Sequence, residues 1–140
     1  MQYKRIMCLD FGDVRIGIAM SDLLQTIASP YDTYTRKTLE EDLKYFDTLA
    51  KSQSVEKIII GLPYNMDGTI GERIEVTKQF GCLLSEKLEL PVEYVDERLS
   101  SVEAEDILAE AGIPAIKRKG LIDKIAASII LESYLNSRKF

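Results

Sequence analysis

Histidine is absent from the 140-residue sequence. This excludes histidine-containing catalytic triads, histidine-ligated zinc and an imidazole general base. Acid–base chemistry would therefore depend on carboxylates, lysine, tyrosine, cysteine or a metal-bound water. The two cysteines, Cys8 and Cys82, are far apart, lie in apolar segments and form no CxxC pair. We expect buried, reduced thiols in a cytoplasmic protein rather than a structural zinc site.

Long apolar runs are missing as well. Because the sequence has no stretch of about 18 apolar residues and no signal-peptide pattern, we expect neither a membrane protein nor an exported one. The net charge of −5 argues against a protein that simply coats nucleic acid, although it allows a local basic patch. The length and the 46% hydrophobic content fit one domain over residues 1–140.

The pattern of apolar residues predicts five strands and four helices. Two strands over 3–11 and 15–22 are joined by a short connection, and a short third strand within the stretch 26–34 should end near Pro30. Four helices are predicted over 38–53, 69 to about 86, 100 to about 112, and 120–135. Two further strands, over 55–63 and 90–99, lie between the first three of these helices. Capping boxes mark three helix starts: Thr38 with Glu41, Thr69 with Glu72, and Ser100 with Glu103.

This element order predicts the fold class. The first three strands have no helix between them and should form an antiparallel meander, whereas the last two alternate with helices and should join in parallel. We therefore expect an α/β fold with a mixed five-stranded sheet flanked by helices.

Asp10 is a carboxylate in a strand that is rich in apolar residues. By alternation it shares one face of that strand with Ile6 and Cys8. Burying an unpaired carboxylate there would be costly, so Asp10 either begins the turn at Gly12 or has a functional partner.

Two other acidic positions lie at the ends of elements. Asp96 and Glu97 end a predicted strand and point to opposite faces, so only one of them should face a given cleft; an exposed pair of Glu97 with Arg98 is the alternative. Asp123 falls in the first turn of the last predicted helix, where an acid complements the helix dipole. It also shares a face with Ala126 and Ala127, whose small side chains would let the helix approach the sheet.

Asp10, Glu97 and Asp123 together form a plausible divalent-metal site. Carboxylates suit Mg²⁺ or Mn²⁺, which keep water ligands and bind phosphates. Such ions can activate water and stabilise the leaving oxygen in phosphodiester cleavage.

Four ordered motifs, "LDFGDVRIGIAMSD", "IIIGLPYNMDG", "VEYVDERLSSVEAE" and "IDKIAASIILESYL", resemble the YqgF family. That family is described as pre-16S ribosomal RNA nucleases and RuvX-type Holliday junction resolvase homologues. The resemblance implies a ribonuclease H-like fold and hydrolysis of phosphodiester bonds in structured nucleic acid. It places the catalytic, metal-binding acids at Asp10, Glu97 and Asp123. Many members have threonine where this sequence has Asp13, and the role of this extra acid stays open.

Several polar residues near these motifs are candidates for nucleic-acid binding. Each has a simpler interpretation, as a surface cation, a turn residue or a solvated charge run. The candidates are Arg15, Asn65, Arg98, Lys117, Arg118 and Lys119. Cations gathered at one cleft would give binding that weakens steeply with salt.

Three alternatives remain open. The first concerns the substrate: we expect precursor ribosomal RNA in preference to a DNA four-way junction, whose resolution would need two sites in a symmetric dimer. No dimer face stands out, so we expect a monomer or a weak homodimer. The first motif also resembles the phosphate loop of actin-like and sugar kinases, which need two such domains. A non-catalytic RNA- or protein-binding regulator is the third possibility.

Overall fold

The computed structural model describes residues 3–62, 71–96 and 100–138, apart from the side chains of residues 100–102, 115, 116, 119 and 120. The elements are β1 (Arg5–Phe11), β2 (Arg15–Ser21), β3 (Ala28–Thr35), α1 (Leu39–Ser52), β4 (Val55–Leu62), α2 (Glu72–Leu88), β5 (Val92–Asp96), α3 (Ser100–Glu110) and α4 (Ala115–Ser137). This order confirms the predicted succession of elements. None of the helices in these described ranges combines the length and apolarity needed to cross a membrane.

The five strands form one mixed sheet in the order β3-β2-β1-β4-β5. β2 pairs antiparallel with β1 and with β3, whereas β4 pairs parallel with β1 and with β5. The predicted meander and parallel extension are thus confirmed. The carboxyl ends of β1, β3, β4 and β5 meet the amino end of β2 at one edge, which we call the carboxyl edge of the sheet.

Each face of the sheet has its own apolar core because side chains alternate along the central strand β1. Met7 and Leu9 belong to a cluster that includes Phe46 of α1 and Phe80 of α2. Ile6 and Cys8 point the other way, into a cluster with α4 residues Ala127, Ile130, Leu131 and Leu135. We call this second side the α4 face. α3 packs against α4.

The third strand does not end near Pro30 as predicted, but continues to Thr35. Proline is tolerated because β3 is the outermost strand next to β2, and the register shifts between Ile18 and Ala19. Ile18 pairs with Asp32 and Ala19 with Pro30, which leaves Tyr31 as the extra residue of a β-bulge.

The helix starts agree with the sequence only in part. Thr38 Oγ accepts a hydrogen bond from the Glu41 amide at 3.1 Å, which confirms the first cap. The N-cap of α2 is Gly71, so the predicted cap by Thr69, a residue outside the described ranges, was wrong. The predicted Ser100 cap falls on a side chain outside the described part. Cys8 is buried as expected, but Cys82 is exposed because it follows the sheet-facing pair Phe80–Gly81 on the helix.

Candidate functional site

Asp10 lies at the carboxyl edge of the sheet and on the α4 face. It is the last residue but one of β1 and is partly buried. Strand alternation places it with Ile6 and Cys8, which pack under α4. Its direct partner on β2 is Gly17. Because opposed residues of an antiparallel pair project to the same face, any group above Gly17 lies next to Asp10.

The group above Gly17 is the backbone of Asp123. A Cβ atom at position 17 would clash with the Asp123 carbonyl oxygen, so only glycine allows α4 to lie this close. Ala126 and Ala127, one turn further on, are fully buried. The small residues therefore bring Asp123 to the same edge and face as Asp10.

The helix-dipole interpretation of Asp123 was wrong. α4 begins at Ala115, not near residue 120, and Asp123 lies in its third turn. Stabilisation by the dipole is confined to the first turn. Pro114 accounts for the earlier start, because its φ of −60° and ψ of 145° give the extended entry of an N-cap.

Arg15 forms an ion pair with Asp123. Its Nε lies 2.7 Å from Asp123 Oδ2, and the two side chains are 30% and 22% exposed. Arg15 begins β2, directly after the hairpin turn that follows β1. One carboxylate oxygen of Asp123 is thus bound to the guanidinium group of Arg15.

Three of the predicted site residues, Asn65, Glu97 and Arg98, lie outside the described residues. β5 ends at Asp96, immediately before them in sequence. Val95 packs on the α4 face and Tyr94 on the other, so alternation places Asp96 on the side opposite Asp10. Asp96 therefore does not share a face with Asp10.

The donor set in the described part of the chain suits a hard divalent cation by its chemistry but is incomplete. Asp10 and Asp123 offer carboxylate oxygens, the ligands that Mg²⁺ and Mn²⁺ prefer. Among the described residues, no three acids, cysteines or histidines are grouped so that they could hold a metal ion. The third predicted donor, Glu97, belongs to the segment that is not described.

The basic run lies inside α4, not before it as predicted. Lys117 is exposed to solvent. Arg118 Nε donates to the Ile113 carbonyl at 2.8 Å, so this side chain also closes the α3–α4 connection. Lys119 belongs to the same helix, four residues before Asp123, and its side chain lies outside the described part.

Asp13, which sequence reasoning could not place, is paired with Arg73 of α2. Arg73 Nη1 lies 2.7 Å from Asp13 Oδ2, and both side chains are largely solvent-accessible. Arg36, which follows β3, reaches the same hairpin turn and donates to the Gly12 carbonyl at 3.4 Å. Neither arginine was predicted, because 60 and 24 positions separate them from their partners and no local pattern links them.

The fold is that of ribonuclease H-like junction resolvases. The structure resembles T. thermophilus RuvC in complex with a Holliday junction substrate, with a TM-score of 0.61 and 12% identity over 97% of this chain and 96% of that one. It also resembles Fowlpox virus resolvase in complex with Holliday junction DNA, with a TM-score of 0.59 and 14% identity over 97% and 99%. At these identities the likeness concerns the fold alone.

Comparison of sequences identifies the family. The chain belongs to the RuvX Holliday junction resolvase family, whose model matches residues 4–137. A protein of Halothermothrix orenii named "Putative pre-16S rRNA nuclease" is 53% identical over 132 residues, or 94% of each chain. A relative of the same name from Caldanaerobacter subterraneus subsp. tengcongensis is 47% identical over 96% of this chain and 98% of its own. The resemblance inferred from the four motifs is confirmed.

Proposed function

We propose that this protein is a metal-dependent nuclease of the cytoplasm that hydrolyses phosphodiester bonds in structured nucleic acid. Membership of the RuvX family supports the reaction class. The observation that carries the assignment to this site is the close approach of Gly17 to the Asp123 backbone, which puts two carboxylates at one edge of the sheet. This edge, at the carboxyl ends of parallel strands, is where open α/β sheets bind ligands.

In this proposal Asp10, Glu97 and Asp123 are the catalytic residues and would hold Mg²⁺ or Mn²⁺. When bound, the cation supplies positive charge beside the scissile phosphate and lowers the pKa of water. Arg15, which forms an ion pair with Asp123, is proposed to neutralise a phosphate oxygen of the substrate. Asn65, Arg98, Lys117, Arg118 and Lys119 are proposed to contact the nucleic-acid strand.

The proposed substrate is the 5′ end of precursor 16S ribosomal RNA, which makes the protein a ribosome-biogenesis factor. Relatives at 53% and 47% identity carry the name of a pre-16S rRNA nuclease, whereas the complexes with junction DNA are similar in fold at 12% and 14% identity. Junction resolution is the second candidate, and it requires a symmetric pair of sites. We propose a monomer or a weak homodimer for the RNA reaction.

Incubation of the purified protein with a precursor 16S RNA fragment and with a four-way DNA junction, in Mn²⁺ and in EDTA, tests this proposal. We expect Mn²⁺-dependent cleavage of the RNA, and loss of cleavage in Asp10→Asn with an unchanged far-ultraviolet circular dichroism spectrum. The matched control is Asp106→Asn, which removes one exposed acid from α3. Full activity of Asp10→Asn would refute the site.

The same assay distinguishes the alternatives. Cleavage of the junction alone, by a protein that is dimeric in sedimentation, would assign the resolvase reaction. RNA binding that persists in EDTA without cleavage under any condition would assign the regulator instead.

A further inference from the structure

The hairpin turn after Asp10 is contacted by residues on the α1 and α2 side of the sheet, opposite the α4 face. The turn comprises Gly12, Asp13 and Val14, between β1 and β2. A Cβ at Gly12 would lie 2.5 Å from the Arg15 carbonyl oxygen, so the turn is tight. Together with Phe11 it connects Asp10 to Arg15, so a shift of this turn moves both.

Arg36 contacts this turn and the residue before it, Phe11, through three kinds of interaction. Its Nη1 donates to the Gly12 carbonyl at 3.4 Å, and its backbone amide donates to the Val14 carbonyl at 2.8 Å. Its guanidinium carbon lies 4.7 Å from the centroid of the Phe11 ring, in a cation–π contact. Phe11 immediately follows Asp10, and its ring belongs to the core on the α1 and α2 side.

Arg36 is itself fixed by a buried acid. Its Nε lies 3.1 Å from Oδ2 of Asp42, a residue with no solvent exposure. The Tyr34 hydroxyl and the Lys37 amide each donate to Asp42 Oδ1 at 2.8 Å. A buried carboxylate with three donors has little freedom, so the guanidinium bound to it is a rigid support for the turn.

Arg73 supports the turn from a different element. Besides the ion pair with Asp13, its Nη2 donates to the Phe11 carbonyl at 3.4 Å. The contacts of Arg36 with the Gly12 carbonyl and of Arg73 with the Phe11 carbonyl are long for hydrogen bonds, at 3.4 Å each. Their energy therefore comes mainly from the attraction between the guanidinium charge and the carbonyl dipole. Two arginines, one before α1 and one at the start of α2, thus hold consecutive carbonyls of Phe11 and Gly12.

We propose that Arg36 and Arg73 are positioning residues, which fix the backbone after Asp10 and so aim its carboxylate and the start of β2 at the substrate. This proposal rests on the proposed function. Arg36 acts on this backbone through Phe11, Gly12 and Val14. Arg73 acts on it through Phe11 and Asp13, and the Phe11 side chain lies on the face opposite Asp10. They therefore orient Asp10 without competing for the space that a cation and a phosphate would fill.

The decisive variant is Arg73→Ala, measured by Mn²⁺ titration without substrate and by steady-state cleavage. Supporting groups around metal ligands typically change metal affinity or activity about 10- to 100-fold. We expect about tenfold weaker Mn²⁺ binding and a kcat lowered at least about tenfold, with KM for the RNA changed less than about twofold. Arg73→Lys, which keeps the charge for Asp13 but loses the planar fork, should recover part of the loss.

The matched control is Arg138→Ala, because Arg138 is an exposed arginine that contacts Gln25 and the Tyr134 ring, away from the turn. It should leave Mn²⁺ affinity and kcat unchanged. If Arg73→Ala lowers the melting temperature but keeps wild-type Mn²⁺ affinity and kcat, the contact is structural only and the proposal is overturned.

Arg36→Ala would leave the Asp42 carboxylate buried without its counter-charge and risks unfolding. Arg36→Lys avoids this and should also weaken Mn²⁺ binding, because a single ammonium cannot bridge Asp42 and Gly12 as the guanidinium does.

Asp10→Asn distinguishes a failure of the proposed function from a failure of the positioning proposal. If it binds Mn²⁺ like the wild type, the proposed function fails; if it loses Mn²⁺ while Arg73→Ala and Arg36→Lys retain it, only the positioning proposal fails.

Discussion

Arg15 and Asp123, 108 positions apart in the sequence, are joined by an ion pair with Nε 2.7 Å from Oδ2. The pair links the first residue of β2 to the third turn of α4, directly beside the position where Gly17 touches the helix backbone. If Asp123 binds a cation through this oxygen, the cation must compete with Arg15. The ion pair and a metal site thus share one carboxylate.

This competition predicts that Arg15→Ala binds Mn²⁺ more tightly while it cleaves RNA more slowly. A partly exposed pair contributes about 1 kcal/mol or less, which corresponds to at most about fivefold tighter binding. Cleavage should slow because Arg15 is lost as a phosphate contact. Isothermal titration with Mn²⁺ and a cleavage assay measure the two effects. Arg5→Ala, at the opposite edge of the sheet, is the control, and an unchanged Mn²⁺ affinity in Arg15→Ala would count against Asp123 Oδ2 as a ligand.

The contact between Gly17 and Asp123 predicts the effect of a single methyl group. Gly17→Ala would push a Cβ against the Asp123 carbonyl and should destabilise the fold by about 1–3 kcal/mol, the usual cost of overpacking. Urea unfolding followed by circular dichroism measures this change. Cleavage should fall as well, because α4 can only relieve the clash by moving Asp123 away from Asp10.

Gly112→Asn is the control for that substitution. Gly112 has a φ of +76°, and a Cβ atom at this position would meet no atom of the described residues within 4 Å. Asparagine tolerates this backbone conformation, so we expect an unfolding midpoint close to that of the wild type. Equal stabilities of Gly17→Ala and the wild type would mean that α4 does not lie as close to β2 as described.

The sequence predicted the sheet, the face of β1 on which Asp10 lies and the close approach of the last helix because those features are local. Alternation along β1 placed Asp10 on one face, and Ala126 and Ala127 indicated that the last helix lies close to the sheet. Both inferences need only residues within a few positions of each other. The start of α4 was missed because residues 115–119 carry three basic side chains and no apolar period, although Pro114 marked the boundary.

The arginine contacts around the hairpin could not be read from the sequence. Arg73 meets Asp13 because α2 packs near the end of β1, where the rings of Phe80 and Phe11 are in contact. Arg36 reaches Gly12 because β3 pairs with β2 up to Thr35. These partners are set by tertiary packing, for which the sequence carries no spacing signal. The third predicted acid, Glu97, follows β5 directly and stays a prediction.

Tyr34 predicts how stability changes at alkaline pH. Burial, followed by its hydrogen bond to Asp42, raises the pKa of the Tyr34 hydroxyl to about 12 from the usual 10. The fold therefore favours the neutral phenol, and this stabilisation is complete below pH 10 and lost as the pH rises from about 10 to about 12.

Urea unfolding midpoints at pH 9 and pH 11.5 test this dependence. The wild type and the control Tyr31→Phe, which alters an exposed ring of the same strand, should lose more stability over this interval than Tyr34→Phe. An equal loss in all three proteins would show that ionisation of Tyr34 is not coupled to unfolding.

Lys117 predicts the salt dependence of nucleic-acid binding. It is an exposed cation in the first turn of α4, the helix that carries Asp123, so a strand bound at Asp10 and Asp123 would pass near it. Each phosphate contact that is lost lowers the slope of log affinity against log salt by about 0.7–0.9. Lys117→Ala should therefore reduce the slope by about 1 and weaken binding to all sequences alike.

The measurement is fluorescence anisotropy with precursor 16S RNA in an Asp10→Asn background, which prevents cleavage during the titration. Lys87→Ala removes an exposed lysine from the last turn of α2, at the opposite edge of the sheet, and should leave the slope unchanged. Equal slopes for both variants would place the RNA elsewhere than along the start of α4.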